Sequence, residues 1–293
     1  MTPTETPDFT LDAMASLAAA PCSLPSDSSG VIEIIHGDCL DEIVKLDADS
    51  FDAVVTDPPY SSGGRMQAAA RNNTLCCIDP NRGGRDRDEW FLGDNMGSDT
   101  YIRWMRQIAR ECLRVVITGG HAYVFTDWRQ YTNLVTSWES VGWSLRSVIV
   151  WDKDKHGALG SFWRNNHEWV AVLTKGQPNP PAHHNCYNTW RGGKPKGGEH
   201  PTEKPVGLIS YIVGVVPKKT GRILDPFAGS GTTLEAAKLN GFGAVGIERS
   251  AAFVKLCAAK VSQDTLGLTR GEAENDQAEP LPPDGERGRH SKP

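Results

Sequence analysis

The sequence lacks several features that would place the protein outside the cytoplasm or around a metal ion. No segment approaches the roughly 20 apolar residues that a helix needs to cross a bilayer. The first 23 residues contain no Lys or Arg, so they lack the basic start of a secretory signal peptide. The seven cysteines are odd in number and form no CxxC pair, which favours reduced thiols over disulfides or a zinc site. We therefore expect a cytoplasmic protein that binds neither a membrane nor a metal.

Acidic residues outnumber basic ones, and the formal net charge is −5. The excess is uneven, because residues 61–200 hold 18 Lys and Arg against 13 Asp and Glu, whereas the rest of the chain holds 13 against 23. A polyanion responds to local charge, so the middle of the chain is where nucleic acid would dock. A balance this modest fits an ordinary solvated surface equally well.

The chain divides into a central domain and two polar ends. Residues 1–29 are rich in Pro, Ser, Thr and Ala and predict a flexible leader. Residues 264–293 are charged and rich in Pro, and predict a disordered tail. We expect residues 30–263 to form one globular domain.

Strand and helix patterns alternate through this domain, which predicts an α/β fold with a mostly parallel sheet covered on both faces. The fourth and fifth strands are expected to pair antiparallel. Polar, basic, Gly-rich segments at 61–98 and 176–200 predict two long loops. The seven expected strands lie at 31–38, 51–57, 121–127, 144–153, 167–176, 221–229 and 243–250. The six expected helices lie at 38–46, 101–115, 128–142, 205–216, 232–241 and 251–263.

A glycine turn, DPFAGSGTT (225–233), follows the sixth strand. Gly229 and Gly231 permit a tight turn and a close approach of the backbone to a ligand. The turn is not a phosphate-binding P-loop, because no Gly-Lys-Ser/Thr follows, and it is not GxGxxG, because Leu234 occupies the third glycine's place. An ordinary connection between strand and helix would look the same. The pattern becomes more specific with Glu248, which ends the next strand where a carboxylate can accept hydrogen bonds from ribose hydroxyls. The pair favours a nucleoside ligand without a pyrophosphate, such as S-adenosylmethionine.

A second turn, Asp57-Pro58-Pro59-Tyr60, follows the second strand. Its prolines fix the backbone and remove N–H donors, so that the Asp57 carboxylate and the Pro58 carbonyl become a pair of acceptors. Two acceptors suit an NH2 group, and the ring of Tyr60 offers a surface on which a planar base can stack. The alternative interpretation is a rigid turn that ends the strand and binds no ligand.

This arrangement suggests a chemistry. An exocyclic amino nitrogen of adenine or cytosine is a poor nucleophile, because its lone pair is delocalised into the ring. Hydrogen bonds to Asp57 and Pro58 would favour a pyramidal nitrogen, which could attack a sulfonium methyl group directly. No covalent protein intermediate is needed.

Taken together, these motifs resemble the amino-methylating DNA methyltransferases, which act on N6 of adenine or N4 of cytosine, in the permuted beta-class order. The resemblance covers roughly residues 31–262, and in that order the DPPY turn precedes the FxGxG turn, as Tyr60 precedes Phe227 here. It rests on IIHGDCL (34–40), TDPPY (56–60), VIVWDK (148–153), NHEWVAVLTKG (166–176), HPTEKP (200–205), DPFAGSGTT (225–233) and GIERS (246–250).

The resemblance implies a Rossmann-like methyltransferase fold of about seven strands, an S-adenosyl-L-methionine cofactor and specific residue roles. Glu248 would bind the ribose, Asp38 and the backbone of Cys39 the adenine, and Asp225 with Thr202 and Lys204 the methionine end. Asp38 could also cap a helix, and Lys204 could be a surface lysine. The residues implied to hold the target base are Asp57, Pro58, Pro59 and Tyr60. The residues implied to line the cofactor turn are Phe227, Gly229, Ser230, Gly231 and Thr232.

The resemblance also implies double-stranded DNA as the partner, with the target base flipped into the DPPY pocket. Because the region before HPTEKP is short, a large recognition domain is absent, and the two basic loops would carry the DNA contacts. The resemblance leaves room for a homodimer and for a companion restriction endonuclease. The candidate DNA-binding residues are Arg65, Arg71, Arg82, Arg85, Arg87, Arg191, Lys194 and Lys196.

Several functions remain open at this point. Asp rather than Ser before PPY favours adenine within the family, but N4 of cytosine offers the same NH2 group. Methylation of cytosine C5 is disfavoured, because the only Pro-Cys pair, Pro21-Cys22, lies in the leader. Methylation of RNA or of a protein glutamine is argued against by HPTEKP and the permuted order. A DNA-binding protein that has lost catalysis is argued against by the intact Asp57, both glycines and Glu248.

Overall fold

The computed structural model describes residues 30–60, 96–154, 163, 165–183, 186–193 and 203–262. The leader predicted at 1–29 and the tail predicted at 264–293 lie outside these residues. Among the residues that are described, no helix combines the length and the apolar character needed to cross a membrane.

The described residues contain eight strands, which are β1 (Ile32–His36), β2 (Phe51–Thr56), β3 (Val116–Thr126), β4 (Trp143–Asp152), β5 (His167–Lys175), β6 (Thr189–Arg191), β7 (Arg222–Asp225) and β8 (Gly243–Glu248). They form one mixed sheet with the order β1-β8-β7-β2-β3-β5-β4-β6. The strand β5 runs antiparallel to both of its neighbours, β3 and β4, and every other neighbouring pair is parallel. The α/β fold, the mostly parallel sheet and the antiparallel pairing of the fourth and fifth strands are therefore confirmed.

Helices cover both faces of this sheet. Alternate residues of the fully buried strand β2 belong to two different cores, since Val54 packs on one face and Ala53 and Val55 pack on the other. The described helices are α1 (Cys39–Ile43), α2 (Ser98–Val115), α3 (Tyr131–Glu139), α4 (Val206–Val215), α5 (Thr232–Leu239) and α6 (Ala251–Ser262). The first core contains buried side chains of α1, α2 and α3, and the second contains those of α4, α5 and α6.

The sheet departs from the sequence-based expectation in two places. The third strand begins at Val116 rather than at residue 121. The sequence does not predict its first residues as strand, because Gly119 and Gly120 are poor strand formers. One strand that the sequence does not predict, β6, is only three residues long and lies within 176–200, which the sequence predicts as loop. It pairs with the end of β4, so the loop prediction is wrong for these three residues.

The position of β2 beside β7 brings the DPPY turn and the glycine turn together. The chain leaves β2 for β3 through α2 on one face, whereas it leaves β7 for β8 through α5 on the other face. The connections therefore diverge between β2 and β7, which creates a crevice at the carboxyl ends of these two strands. This crevice is where the structure is expected to bind ligands.

A buried carboxylate at the opposite end of β2 fixes the entry to β7. Asp52 accepts hydrogen bonds from the backbone N–H groups of Lys219 (3.0 Å), Thr220 (2.7 Å) and Gly221 (2.7 Å). Asp52 is fully buried, so these bonds replace the water that its charge would otherwise require. They hold β2 and β7 in the register on which the crevice depends.

Candidate active site

The two turns are joined by a buried hydrogen bond. Thr56, the last residue of β2, donates its hydroxyl to Oδ1 of Asp225, the last residue of β7, at 2.7 Å. The same oxygen accepts the backbone N–H of Phe227 at 3.0 Å. Burial raises the pKa of Asp225 to about 6, although the hydrogen bonds from Thr233, Thr56 and Phe227 oppose that rise. The DPPY turn and the glycine turn therefore start from one shared anchor.

The glycine turn adopts backbone angles that favour glycine. Gly229 has φ +52° and Gly231 has φ +87°, so both are left-handed. Gly231 also lies against α6, because a Cβ added there would approach Sγ of Cys257 to 2.6 Å. A Cβ at Gly229 would meet nothing closer than the carbonyl oxygen of Phe227, at 3.9 Å. Gly231 is thus required for packing, whereas Gly229 leaves space open beside the turn.

Glu248 supports this turn from the end of β8. Its Oε2 accepts the N–H of Gly229 at 2.9 Å, and its Oε1 accepts the N–H of Ser250 at 2.7 Å. A carboxylate has about four acceptor positions, so Glu248 retains capacity for two hydroxyl donors. The side chain is half-buried, which leaves part of it accessible to a ligand.

Asp38 and Cys39 follow β1, which pairs with β8 so that His36 lies opposite Glu248. Asp38 caps α1 by accepting the N–H of Leu40 at 3.0 Å, and its side chain remains half-exposed. Burial raises the pKa of Cys39 to about 12, and the nearby charge of Asp38 adds to the effect. The thiol of Cys39 is therefore neutral and inside the core, which leaves its backbone as the part that can face a ligand.

These groups fit the nucleoside part of S-adenosylmethionine. A free acceptor for ribose hydroxyls, a half-exposed aspartate and an open glycine turn lie at the carboxyl ends of three adjacent parallel strands. The ring of Phe227 adds an apolar surface, held by Trp104 at a centroid distance of 5.5 Å. Ser230 and Thr232 continue the turn, with their hydroxyl oxygens 3.4 Å apart.

A buried ammonium group lies beside the DPPY turn. Lys204 is 7% exposed, and its Nζ lies 2.6 Å from Oδ2 of Asp57 and 3.2 Å from Oε2 of Glu168. The rings of Tyr60 and Phe125 flank the ammonium, with centroids at 5.3 Å and 5.4 Å. Burial lowers the pKa of Lys204, but the charges of Asp57 and Glu168 outweigh burial and raise it above its usual value. Lys204 is therefore a charged group of the crevice and not a surface lysine.

Glu168 also belongs to this site, although the sequence motifs alone do not identify it as a site residue. It accepts the hydroxyl of Tyr60 at 3.3 Å, and it also pairs with Lys153. Burial raises the pKa of Glu168, but Lys204 and Lys153 reverse the effect and bring it to about 2. Both residues lie in motifs on which the family resemblance rests, Glu168 in NHEWVAVLTKG and Lys153 in VIVWDK. The signal that the sequence offers is a charged residue near the start of an apolar strand.

The predicted DNA contacts are mostly outside the part of the chain that the structure describes. This holds for Thr202 as well as for the basic residues Arg65, Arg71, Arg82, Arg85, Arg87, Lys194 and Lys196. Arg191 is described; it lies on β6, 66% exposed, with its Nε 3.1 Å from Oδ2 of Asp152. Its role in DNA binding stays a prediction.

Comparison with known proteins agrees with this geometry. Residues 51–260, more than half of the chain, match the model of the N6/N4 DNA methylase family. The chain belongs to the amino-methylating DNA methyltransferases.

Individual relatives cover most of the chain. The DNA adenine methyltransferase YhdJ of Escherichia coli (strain K12) is 24% identical over 259 residues, which cover 76% of this chain and 80% of that protein. The crystal structure of an M1.HpyAVI–SAM complex is 20% identical with a TM-score of 0.55, and the match covers 79% of this chain and 100% of that one. The cytosine-N4-specific PvuII DNA methyltransferase is 14% identical with a TM-score of 0.60, covering 82% of this chain and 90% of that one. The two structures show the shared fold, and the methyltransferase uses S-adenosyl-L-methionine.

The packing of the glycine turn in the methyltransferase yields a testable pair of variants. Gly231→Ala introduces a Cβ at positive φ and against Cys257, whereas Gly176→Ala introduces one at φ +70° with nothing within 4 Å. We expect Gly176→Ala to lower the unfolding free energy by about 1 kcal/mol and Gly231→Ala by about 2–4 kcal/mol. Denaturant unfolding of both variants measures the difference. Equal losses would show that α6 does not constrain the turn.

Proposed function

We propose that the protein transfers a methyl group from S-adenosyl-L-methionine to N6 of adenine in double-stranded DNA. The observation that carries this proposal is how the two carboxylate oxygens of Asp57 are bonded. One carboxylate oxygen, Oδ2, lies on Lys204, whereas the other, Oδ1, is buried and accepts no hydrogen bond from the described residues. A buried acceptor without a donor is costly, and an amino N–H of a bound base would satisfy it.

The residues of the DPPY turn act on the base. Asp57 Oδ1 accepts one N–H of the amino group, and the carbonyl of Pro58 accepts the other. With both N–H groups held, the nitrogen lone pair is released from the ring and points away from the acceptors. When bound, S-adenosyl-L-methionine supplies an electrophilic methyl group on a positively charged sulfur, which keeps the electron pair of the S–CH3 bond as the N–CH3 bond forms. The amino nitrogen would then lose one proton, either to the Asp57 carboxylate that accepts its N–H or to water. The shared anchor at Thr56 and Asp225 fixes the base-binding turn against the cofactor turn, so positioning supplies part of the rate enhancement.

Tyr60 contributes a flat, neutral surface. Burial raises the pKa of its hydroxyl well above the usual value, and the charges of Asp57 and Glu168 raise it further. The phenol therefore stays protonated and donates to Glu168. This hydrogen bond holds the ring in one orientation, on which a flipped base can stack.

Adenine is preferred over cytosine for two reasons. The first residue of the turn is Asp rather than Ser, a choice that favours adenine within the family. The relative YhdJ is named as a DNA adenine methyltransferase. N4 of cytosine is the second candidate, because it presents the same NH2 group and because a cytosine-N4-specific enzyme shares the fold.

Loss of catalysis is the remaining alternative of another class. A protein that had only kept the fold would not need to retain a buried lysine paired with Asp57 or a carboxylate under the glycine turn. The contacts of Asp57 and Glu248 therefore favour an active enzyme. A homodimer and a companion restriction endonuclease stay predictions.

Substitution of Asp57 tests the catalytic role directly. Asp57→Asn keeps the size of the side chain but removes its charge and replaces one acceptor oxygen by a donor. We expect methyl transfer to DNA to fall by at least about a hundredfold, while S-adenosyl-L-methionine binding stays within a few fold. Transfer of a labelled methyl group and calorimetry measure the two quantities. The exposed Asp99→Asn on α2 is the control, and near-normal turnover by Asp57→Asn would rule out the role.

The modified base and the recognition sequence require a separate experiment. Expression in a bacterium without its own DNA methylation, followed by modification-sensitive sequencing, reports both at once. We expect N6-methyladenine at a defined short sequence, and none in cells that express Asp57→Asn. N4-methylcytosine would favour the second candidate. An unmodified genome, together with no labelled methyl transfer to DNA in vitro, would support the loss of catalysis.

A further inference from the structure

We propose that Glu168 is a positioning residue for methyl transfer, because it shares the Lys204 ammonium with Asp57 and fixes the hydroxyl of Tyr60. The inference rests on the proposed function, since the reaction it serves is the one assigned to the DPPY turn. Its basis is a set of contacts that converge on one carboxylate.

The first contact is the ion pair of Glu168 with Lys204, which Asp57 shares. The ammonium lies between two carboxylates, 2.6 Å from Asp57 and 3.2 Å from Glu168. Lys204 is almost fully buried, so water cannot stand in for either partner. Without Glu168, the ammonium would have Asp57 as its only carboxylate partner. Their contact is already as short as a hydrogen bond allows, so the ammonium would swing away from its present position and pull Asp57 with it. Asp57 would then lose its present position and part of its capacity to accept an N–H.

The second contact is the hydrogen bond from the hydroxyl of Tyr60, the last residue of the DPPY turn, to Glu168. Oε2 of Glu168, the oxygen that faces Lys204, also accepts the hydroxyl of Tyr60. One oxygen atom therefore restrains both the partner of Asp57 and the stacking ring. These four residues come from three separate parts of the chain: Asp57 and Tyr60 follow β2, Lys204 precedes α4, and Glu168 is on β5.

The third contact holds Glu168 itself. Its Oε1 pairs with Lys153, which follows β4, and the backbone N–H of Lys153 donates to the carbonyl of Asn166 at 2.8 Å. Lys153 is not paired with Asp57 or Tyr60 in the described contacts. It keeps the Glu168 carboxylate charged and oriented, and it offsets the charge of the cluster so that two ammonium groups face two carboxylates.

The reversed direction of β5 explains how Glu168 reaches the site. Because β5 runs antiparallel to β3, its first residues lie at the edge where β3 ends, and Trp169 pairs with Thr126. Glu168 is therefore level with the turn that follows β3. It faces the carboxyl ends of the parallel strands, at the edge that carries the DPPY turn.

The test uses Glu168→Gln in the full chain, with Glu111→Gln as the matched control. Glu111 forms an ion pair with Arg114 on α2, so the control removes a paired carboxylate far from the DPPY contacts described above. We expect Glu168→Gln to lower the single-turnover rate by at least about tenfold at saturating DNA and cofactor. Cofactor affinity measured by calorimetry should fall by a smaller factor than the rate, because Glu168 reaches the cofactor only through Lys204, the residue implied for the methionine end. Glu111→Gln should match the wild type in both.

A pH profile separates positioning from a purely structural role. The charged or titratable groups that face Lys204 are Asp57, Glu168 and Tyr60, and the ring of Phe125 lies 5.4 Å from its ammonium. Lys153 lies beyond Glu168, and the charge of Asp127 also acts on Tyr60. Removing the charge of Glu168 favours loss of a proton from both Lys204 and Tyr60. We therefore expect the alkaline fall of the rate to move to lower pH by about one unit or more.

A second variant protects the test against instability. Glu168→Gln leaves Lys153 without its carboxylate, whereas the double variant Glu168→Gln/Lys153→Gln restores the balance of charge. We expect the double variant to regain stability toward urea but not the methylation rate. The proposal is overturned if the rate per folded molecule and the pH profile of Glu168→Gln match the wild type. It is also overturned if the double variant regains the full rate. A wild-type enzyme that transfers no methyl group to DNA would instead refute the proposed function.

Discussion

Parallel pairing of β2 with β7 is the constraint on which the site depends. Each strand ends in a turn with a different task, and the hydrogen bond from Thr56 to Asp225 locks the two ends at one depth in the crevice. At the opposite ends of the strands, the buried carboxylate of Asp52 holds the same register through three backbone N–H groups. A slip of one residue would turn Thr56 away from Asp225 and separate the base-binding turn from the cofactor turn.

The two halves of the crevice use charge differently. Around the glycine turn, Glu248 and Asp38 present acceptors that are half-exposed and tied to backbone N–H groups. Around the DPPY turn, two partly buried carboxylates are balanced by the buried ammonium group of Lys204 and the partly buried one of Lys153. The first arrangement suits the hydroxyl and amine donors of a nucleoside. The second pairs the carboxylates of Asp57 and Glu168 with ammonium groups in a place only partly open to water, where electrostatic interactions are stronger than at the surface.

Much of this arrangement could be predicted from the sequence, because it depends on local patterns. Two short strand-like runs that end in Asp57-Pro58-Pro59-Tyr60 and in DPFAGSG identify the turns, and parallel pairing of strands predicts that such turns share an edge. The place of Glu168 could not be predicted in the same way. It depends on the insertion of β5 between β3 and β4, which is a non-local pairing that no spacing in the sequence specifies. The short strand β6 was missed because three residues, flanked by polar and glycine-rich chain, carry no periodic signal. Lys204 was identified from the resemblance to the family, but its contacts with Asp57 and Glu168 became visible only in the fold.

The central claim is that the turn after β2 and the turn after β7 form one site, in which the base and the cofactor meet. A crystal structure with bound S-adenosyl-L-methionine tests it most directly. The account predicts the ribose at Glu248, the nucleoside beside Phe227 and Gly229, and the sulfonium methyl directed toward Asp57. A cofactor bound away from the glycine turn, or one whose methyl group faces away from Asp57, would contradict the account.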